Sequence, residues 1–235
     1  MLLSVWSPKG GAGTSVVCVA MAALIAATQH DVRLVDFGED GASIVGARLD
    51  NPIGITDWLR AGPSTPANAL DSLTLDVGER FRYIPRGTAA RDALHHHGAT
   101  TALVNAMRAS AVLYIADCQT ASEPTHAKLV RRADLSIAVV RPCFLTLRRS
   151  ATQHELLATT AGLVFVDEPH RSLGTTDFAN IVGRPILATV PIAPAIARSI
   201  DAGVLLRQRP GALFDPLQRM CERLGLRESD RRRSA

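Results

Sequence analysis

The sequence has little cysteine, almost no lysine and no long apolar run, and each shortage excludes a class of protein. Its four cysteines, Cys18, Cys118, Cys143 and Cys221, are scattered through apolar segments with no CxxC spacing. That pattern argues against a disulfide framework, and the four read as reduced core residues of a cytosolic protein. No stretch reaches the roughly 18 apolar residues that cross a bilayer. Leu2 to Trp6 is too short for a signal-peptide core before Lys9 interrupts it. The expected location is the cytoplasm, with peripheral contact at the inner face of the membrane as the one route to lipid. Of the 26 basic residues only Lys9 and Lys128 are lysines, and against 22 acidic residues they leave a net charge of +4. So mild an excess is weak evidence for an acidic partner, because a nucleic-acid footprint gathers on one face. Repeats and low-complexity tracts are absent, and no serine sits in a nucleophile elbow.

What the 235 residues do contain is 47% apolar residues, enough to bury one full core. Residues 1–226 read as a single domain, and 227–235, with Arg231, Arg232 and Arg233, as a basic, disordered tail. Short apolar runs alternate with helical segments, the pattern of parallel strands joined by crossover helices. The expected fold is α/β, a doubly wound, mostly parallel sheet of about seven strands with helices on both faces. The strands are Leu2 to Trp6, Val32 to Asp36, Phe81 to Pro85, Val112 to Asp117, Leu135 to Arg141, Leu163 to Val166 and Ile186 to Val190. Helices are expected at Thr14 to Thr28, Thr56 to Arg60, Ala99 to Ala109, Pro124 to Arg131, Leu147 to Thr160 and Thr175 to Ile181. Gly62 to Ala67 reads as a surface loop.

The chemistry begins after the first strand. Ser7-Pro8-Lys9-Gly10-Gly11-Ala12-Gly13 is a tight glycine turn, and Thr14-Ser15-Val16-Val17 opens a helix. Glycines permit positive φ and let several backbone N–H groups converge on an anion, to which the helix N-terminus adds its partial positive charge. Ser15 is placed to offer its hydroxyl to Mg²⁺. The ordinary phosphate loop has lysine just before that hydroxyl, and here Thr14 stands there. Loss of an ammonium that offsets phosphate charge predicts weaker binding, slower hydrolysis, or both. In a parallel sheet, ligands bind beyond the carboxyl ends of strands, which singles out Asp36 and Asp117. Each has the alternative reading of a helix cap or a solvated loop residue.

Lys9, Gly10, Gly11, Gly13 and Ser15 resemble the loop of the MinD/ParA ATPases, roughly Lys-Gly-Gly-x-Gly-Lys-Ser/Thr, without its second lysine. The resemblance extends in order through Thr56 to Gly62, Tyr83 to Gly87, Ala133 to Pro142 and Gly183 to Pro191. It implies a P-loop NTPase fold, ATP or ADP with Mg²⁺ as cofactors, and Lys9, Gly10, Gly11, Ala12, Gly13, Thr14 and Ser15 around the phosphates. Asp117 resembles the switch II aspartate that holds Mg²⁺ through water, alongside Ser15. Asp36 resembles the strand-two aspartate suited to orienting an attacking water. The first lysine of the family reaches across a nucleotide-sandwiched homodimer, which implies that role for Lys9. The implied catalytic set is therefore Lys9, Asp36 and Asp117. Asp167 stands near the family's adenine-recognising Asn, and Asp167 and the strand exit at Pro191 are taken as nucleotide-lining residues.

The atypical loop is most similar to the CpaE/TadZ branch, associated with pilus assembly and polar localisation. Members of that branch usually carry a receiver-like domain first, whereas these residues open on the first strand. The implied function is a nucleotide-dependent dimeric positioning switch for a pilus, secretion or division apparatus, with weak or slow hydrolysis. Two other readings stand beside it: a non-hydrolysing nucleotide-binding scaffold, and a ParA-like partitioning ATPase that binds DNA nonspecifically, the less favoured of the readings. Near the C-terminus Leu213, Phe214, Leu217, Met220, Cys221 and Leu224 share one helical face over 212–224. That face either packs on the sheet, the favoured reading, or contacts a membrane. The run His95-His96-His97 lacks partners at ligand spacing and reads as polar surface.

Overall fold

The computed structural model describes residues 1–28, 30–47, 49 and 52–226. The expected basic tail at 227–235 lies outside the described residues. The chain opens with β1 (Leu2–Trp6), α1 (Thr14–Ala26), β2 (Val32–Asp36), α2 (Gly41–Val45) and α3 (Ile55–Ala61). It continues through β3 (Leu75–Gly78), β4 (Phe81–Ile84), α4 (His97–Ala109), β5 (Leu113–Asp117), α5 (Pro124–Arg132) and β6 (Leu135–Val140). The last part holds α6 (Phe144–Thr152), α7 (His154–Ala158), β7 (Gly162–Asp167), α8 (Thr175–Val182), β8 (Ile186–Pro191), α9 (Pro194–Asp201), α10 (Leu205–Gln208) and α11 (Gly211–Arg223).

The sheet has the order β3-β4-β2-β5-β1-β6-β7-β8 and is parallel except for β3. Successive side chains of a strand point to opposite faces, and the central strands are apolar on both. Leu3 and Val5 of β1 enter one core with Ile115, Ile137 and Val139, while Leu2 and Trp6 enter the other with Tyr114, Ala138 and Val140. Trp6 is fully buried there, its indole N–H donating to Thr160 Oγ1 at 3.1 Å. Covering both faces explains why these strands read as continuous apolar runs.

Helix α1 is apolar nearly all round because it is enclosed, with ten of its 13 residues buried. It lies between the sheet and α11, whose Leu213, Phe214, Leu217, Met220 and Cys221 are buried against α1 and β8. In this packing, the face that lipid would need is inside the fold. Among the described residues no helix is long and apolar enough to cross a membrane.

One expectation is extended and two are corrected. The sheet has eight strands, because Leu75–Gly78 forms an antiparallel edge strand joined to β4 across Glu79 and Arg80. Its half-buried alternation, in only four residues containing Asp76 and Gly78, left little apolar signal. The single helix expected over Leu147 to Thr160 begins at Phe144 and breaks at Gln153, which leaves helical geometry at φ −110° and ψ 26°. Cys143 is half-exposed at the start of α6, unlike the three fully buried cysteines. The histidine run divides its work: His95 Nε2 pairs with Glu123 at 2.9 Å, and His96 Nδ1 accepts from the amide of Ala99 at 3.2 Å, capping α4.

Candidate functional site

The central position of β1, with β5 on one side and β6 on the other, delivers the glycine turn to the carboxyl edge of the sheet. Ser7 anchors the turn: its amide donates to the Gln119 carbonyl at 2.8 Å, and its hydroxyl donates to the Lys9 carbonyl at 2.7 Å. Gly11 and Gly13 take φ values of 75° and 89°. A Cβ at either position would meet nothing within 4 Å, so conformation rather than space requires glycine there. Helical bonding begins where the Val17 amide donates to the Gly13 carbonyl at 3.0 Å. The preceding amides are donors without a partner inside the helix, as at any helix start. Ala12 and Thr14 are buried, whereas Gly10, Gly11 and Gly13 are exposed.

Beside the turn lie the two strand-end carboxylates. Register pairs Asp36 with Asp117 directly across β2 and β5, and both are almost fully buried. Asp117 Oδ1 accepts from the Gln119 amide at 3.1 Å, and Ser15 also hydrogen-bonds to this carboxylate. Gln119 closes the cluster by donating its side-chain amide to Ser15 Oγ at 3.2 Å. Burial, reinforced by the neighbouring charge of Asp36, pushes Asp117 up to about 7, while the bonds from Ser15 and Gln119 oppose the rise. Gln119 and Ala121 sit at φ 50° and 52°, left-handed conformations that side-chain-bearing residues adopt only under local constraint.

Asp36 is turned inward. Its carboxylate accepts from Tyr83 Oη at 2.7 Å, from the Gly38 amide at 2.7 Å and from the Gly41 backbone. Burial raises its pKa, and these three bonds pull the other way. Both oxygens are engaged, one by Tyr83 of β4 and one by Gly38 after β2, an arrangement unlike the open carboxylate that water orientation requires. Gly38 is closely covered: a Cβ there would lie 2.5 Å from Gln119 Nε2.

Asp167 and Pro191 are register partners across β7 and β8, both exposed, at the same edge as the turn but toward the β8 side. The ground between is bridged by Arg141, the residue following β6. Its Nη1 donates to the Gly11 carbonyl at 3.1 Å and its Nη2 pairs with Glu168 at 2.9 Å. Lys9 Nζ lies 3.4 Å from the Gly10 carbonyl. Structure thus brings Lys9, Gly10, Gly11, Gly13 and Ser15 together with Asp117, and sets Asp36 behind them.

Sequence reasoning missed Gln119, Tyr83 and Arg141. The strand-end rule that singled out Asp36 and Asp117 applies equally to a cation, and would have found Arg141 after Leu135–Val140. Tyr83 carried no signal, because a tyrosine inside an apolar strand reads as core. The arrangement fits a phosphate chain and a hard divalent cation: open amides and a helix start receive anionic oxygens, and the Ser15 hydroxyl and Asp117 carboxylate are oxygen donors of the kind Mg²⁺ takes.

No family model matches the sequence, and no curated protein matches it. Solved structures do. A ParA family ATPase from Chlorobium tepidum TLS superposes with a TM-score of 0.75 at 17% identity, over 92% of this chain and 95% of that one. The septum site-determining protein MinD from Pyrococcus horikoshii OT3, complexed with Mg-ADP, gives 0.75 at 14% identity, over 95% of each chain. A chain of the MinC:MinD cell division protein complex of Aquifex aeolicus gives 0.74 at 16% identity, again over 95% of each. Identities this low speak for architecture alone, and the architecture of this chain is that of the MinD and ParA ATPases.

Proposed function

We propose that the chain binds ATP or ADP with Mg²⁺ at the turn after β1 and acts as a nucleotide-dependent dimeric switch that positions a pilus, secretion or division apparatus, with weak or slow hydrolysis. The observation that carries this reading is the meeting of Ser15, Asp117 and Gln119 beside a glycine turn, in the crevice where open parallel sheets take their ligands. Mg-ADP in the Pyrococcus MinD supports the ligand, and MinC beside the Aquifex MinD supports a protein partner.

In this reading the amides from Gly10 to Ser15 receive phosphate oxygens, and the Ser15 hydroxyl and Asp117 hold the metal, the latter through water. Bound Mg²⁺ neutralises phosphate charge. Asp167 and Pro191 border the base. Thr14 offers a hydroxyl where an ammonium would offset the charge that grows on a transferring phosphoryl group, which makes turnover slow. Lys9 is half-buried and, among the described residues, forms no ion pair. Its ammonium is therefore available to a partner's phosphates. In sedimentation velocity with MgATP, the wild type is expected to shift to a dimer and Lys9→Ala to lose at least tenfold in association. A wild type that stays monomeric at every ATP concentration overturns the switch.

The commitment of Asp36 to Tyr83, Gly38 and Gly41 favours a second reading, a scaffold that binds nucleotide without hydrolysing it. Single-turnover assays with radiolabelled ATP separate the two. Slow phosphate release from the wild type supports the switch, and binding with no release supports the scaffold.

A further inference from the structure

We propose that Arg141 supplies the phosphate-binding cation that the turn lacks at Thr14. The inference rests on the nucleotide reading above. Among the described residues two cations rest against the turn, both on neutral carbonyl oxygens: Lys9 on Gly10 and Arg141 on Gly11. Lys9 belongs to the turn itself. Arg141 comes from the neighbouring strand, where the pairing of Trp6 with Ala138 makes β1 and β6 emerge at the same edge.

The guanidinium is held rather than free. Glu168 binds Arg141 through Oε2 at 2.9 Å and Arg171 through Oε1 at 2.9 Å, so one carboxylate serves two arginines. The group of three carries net charge +1, and Lys9 adds a second cation at the turn. A guanidinium has five N–H donors in a rigid plane. The Gly11 carbonyl and Glu168 each take one, leaving three beside the turn. Replacing one neutral acceptor with a phosphate oxygen exchanges an ordinary hydrogen bond for a charge-assisted one. A half-exposed arginine whose Glu168 anchor keeps it at the turn can make that exchange without leaving its place.

A purely structural role, tying the turn to the exit of β7, is the competing account. The test is calorimetric titration of the full chain with MgATP and MgADP, using wild type, Arg141→Gln, Thr14→Lys and the double variant. Gln keeps an amide donor for the Gly11 carbonyl while removing the charge. Arg141→Gln is expected to weaken ATP binding about tenfold or more, and ADP binding by less. Thr14→Lys, which restores a cation from the other side, is expected to recover most of that loss in the double variant. Arg141→Gln that binds ATP as the wild type does overturns the inference, and so does a loss that Thr14→Lys leaves unrepaired. A wild type that binds neither ATP nor ADP overturns the nucleotide reading itself, and the two failures are told apart by the wild-type titration.

Discussion

Gly41→Ala is expected to destabilise the protein by roughly 2–5 kcal/mol, the range for breaking a buried polar network. Backbone conformation is not the cause, since Gly41 is the first residue of α2 and has no positive φ. Space is. A Cβ at this position would lie 2.1 Å from Asp36 Oδ2, 2.7 Å from its Cγ and 3.0 Å from Tyr83 Oη. A flexible surface side chain would swing aside, but Asp36 is 1% exposed and held from two other directions. Moving it breaks the 2.7 Å bond from Tyr83 and leaves a buried carboxylate short of partners. Urea denaturation of Gly41→Ala, Asp36→Ala and the double variant checks this. If the clash is the mechanism, removing the Asp36 side chain makes room for the new methyl, and the double variant is less destabilised than the sum of the singles. A loss below about 1 kcal/mol for Gly41→Ala, or strict additivity, would show that the segment after β2 yields easily. The same geometry bears on function, because the glycines at 38 and 41 let the segment close over Asp36 and occupy its carboxylate.

How far the sequence discloses this site depends on what each residue's role leaves in local pattern. The parallel strands were legible because burial on both faces makes them apolar throughout, as in Leu2–Trp6 and Leu135–Val140. The turn was legible because positive φ demands glycine, and Gly11 and Gly13 sit where that demand falls. Edge strand Leu75–Gly78 was not, since pairing on one side needs no continuous apolar run. Gln153 ends a helix inside a periodic segment while its side chain donates to the Thr120 carbonyl at 3.4 Å, a contact that no neighbouring residue announces. The site divides along the same line. Ser15 and Asp117 stand at positions defined by their own strand and helix, and reading one segment at a time finds them. The contact of Gln119 with Ser15 spans 104 residues, that of Tyr83 with Asp36 spans 47, and that of Arg141 with Gly11 spans 130. Only the order of the strands brings those partners together.

Asp117→Asn is expected to raise stability at alkaline pH while weakening Mg²⁺-nucleotide binding by tenfold or more. Asp117 is 1% exposed and faces Asp36 in register across β2 and β5, so its charged form is opposed by burial and by a like charge. Its pKa rises from the ordinary 3.8 to about 7. A carboxyl group with a raised folded-state pKa binds its proton more tightly in the folded protein than in the unfolded chain. Its contribution is fully present below pH 3.8 and is lost as pH rises through about 7. Asn keeps an oxygen to accept from the Gln119 amide and has no charge to bury. Compared by denaturant unfolding at pH 5.5 and 8.5, the wild type should lose stability relative to the variant, with a gap at pH 8.5 of roughly 2–4 kcal/mol at about 1.4 kcal/mol per pKa unit. Taking the difference between the two proteins cancels the titration of distant groups such as Asp134. In the proposed nucleotide-bound state a divalent cation held by Ser15 and Asp117 would offset the charge that the fold opposes, so a residue costly to the folded chain suits the proposed metal-nucleotide site. Calorimetry of MgATP against wild type and variant at pH 8 supplies the second half of the test. A variant that gains no stability at pH 8.5 refutes the buried-charge account, and one that binds MgATP as the wild type does removes Asp117 from the metal's surroundings.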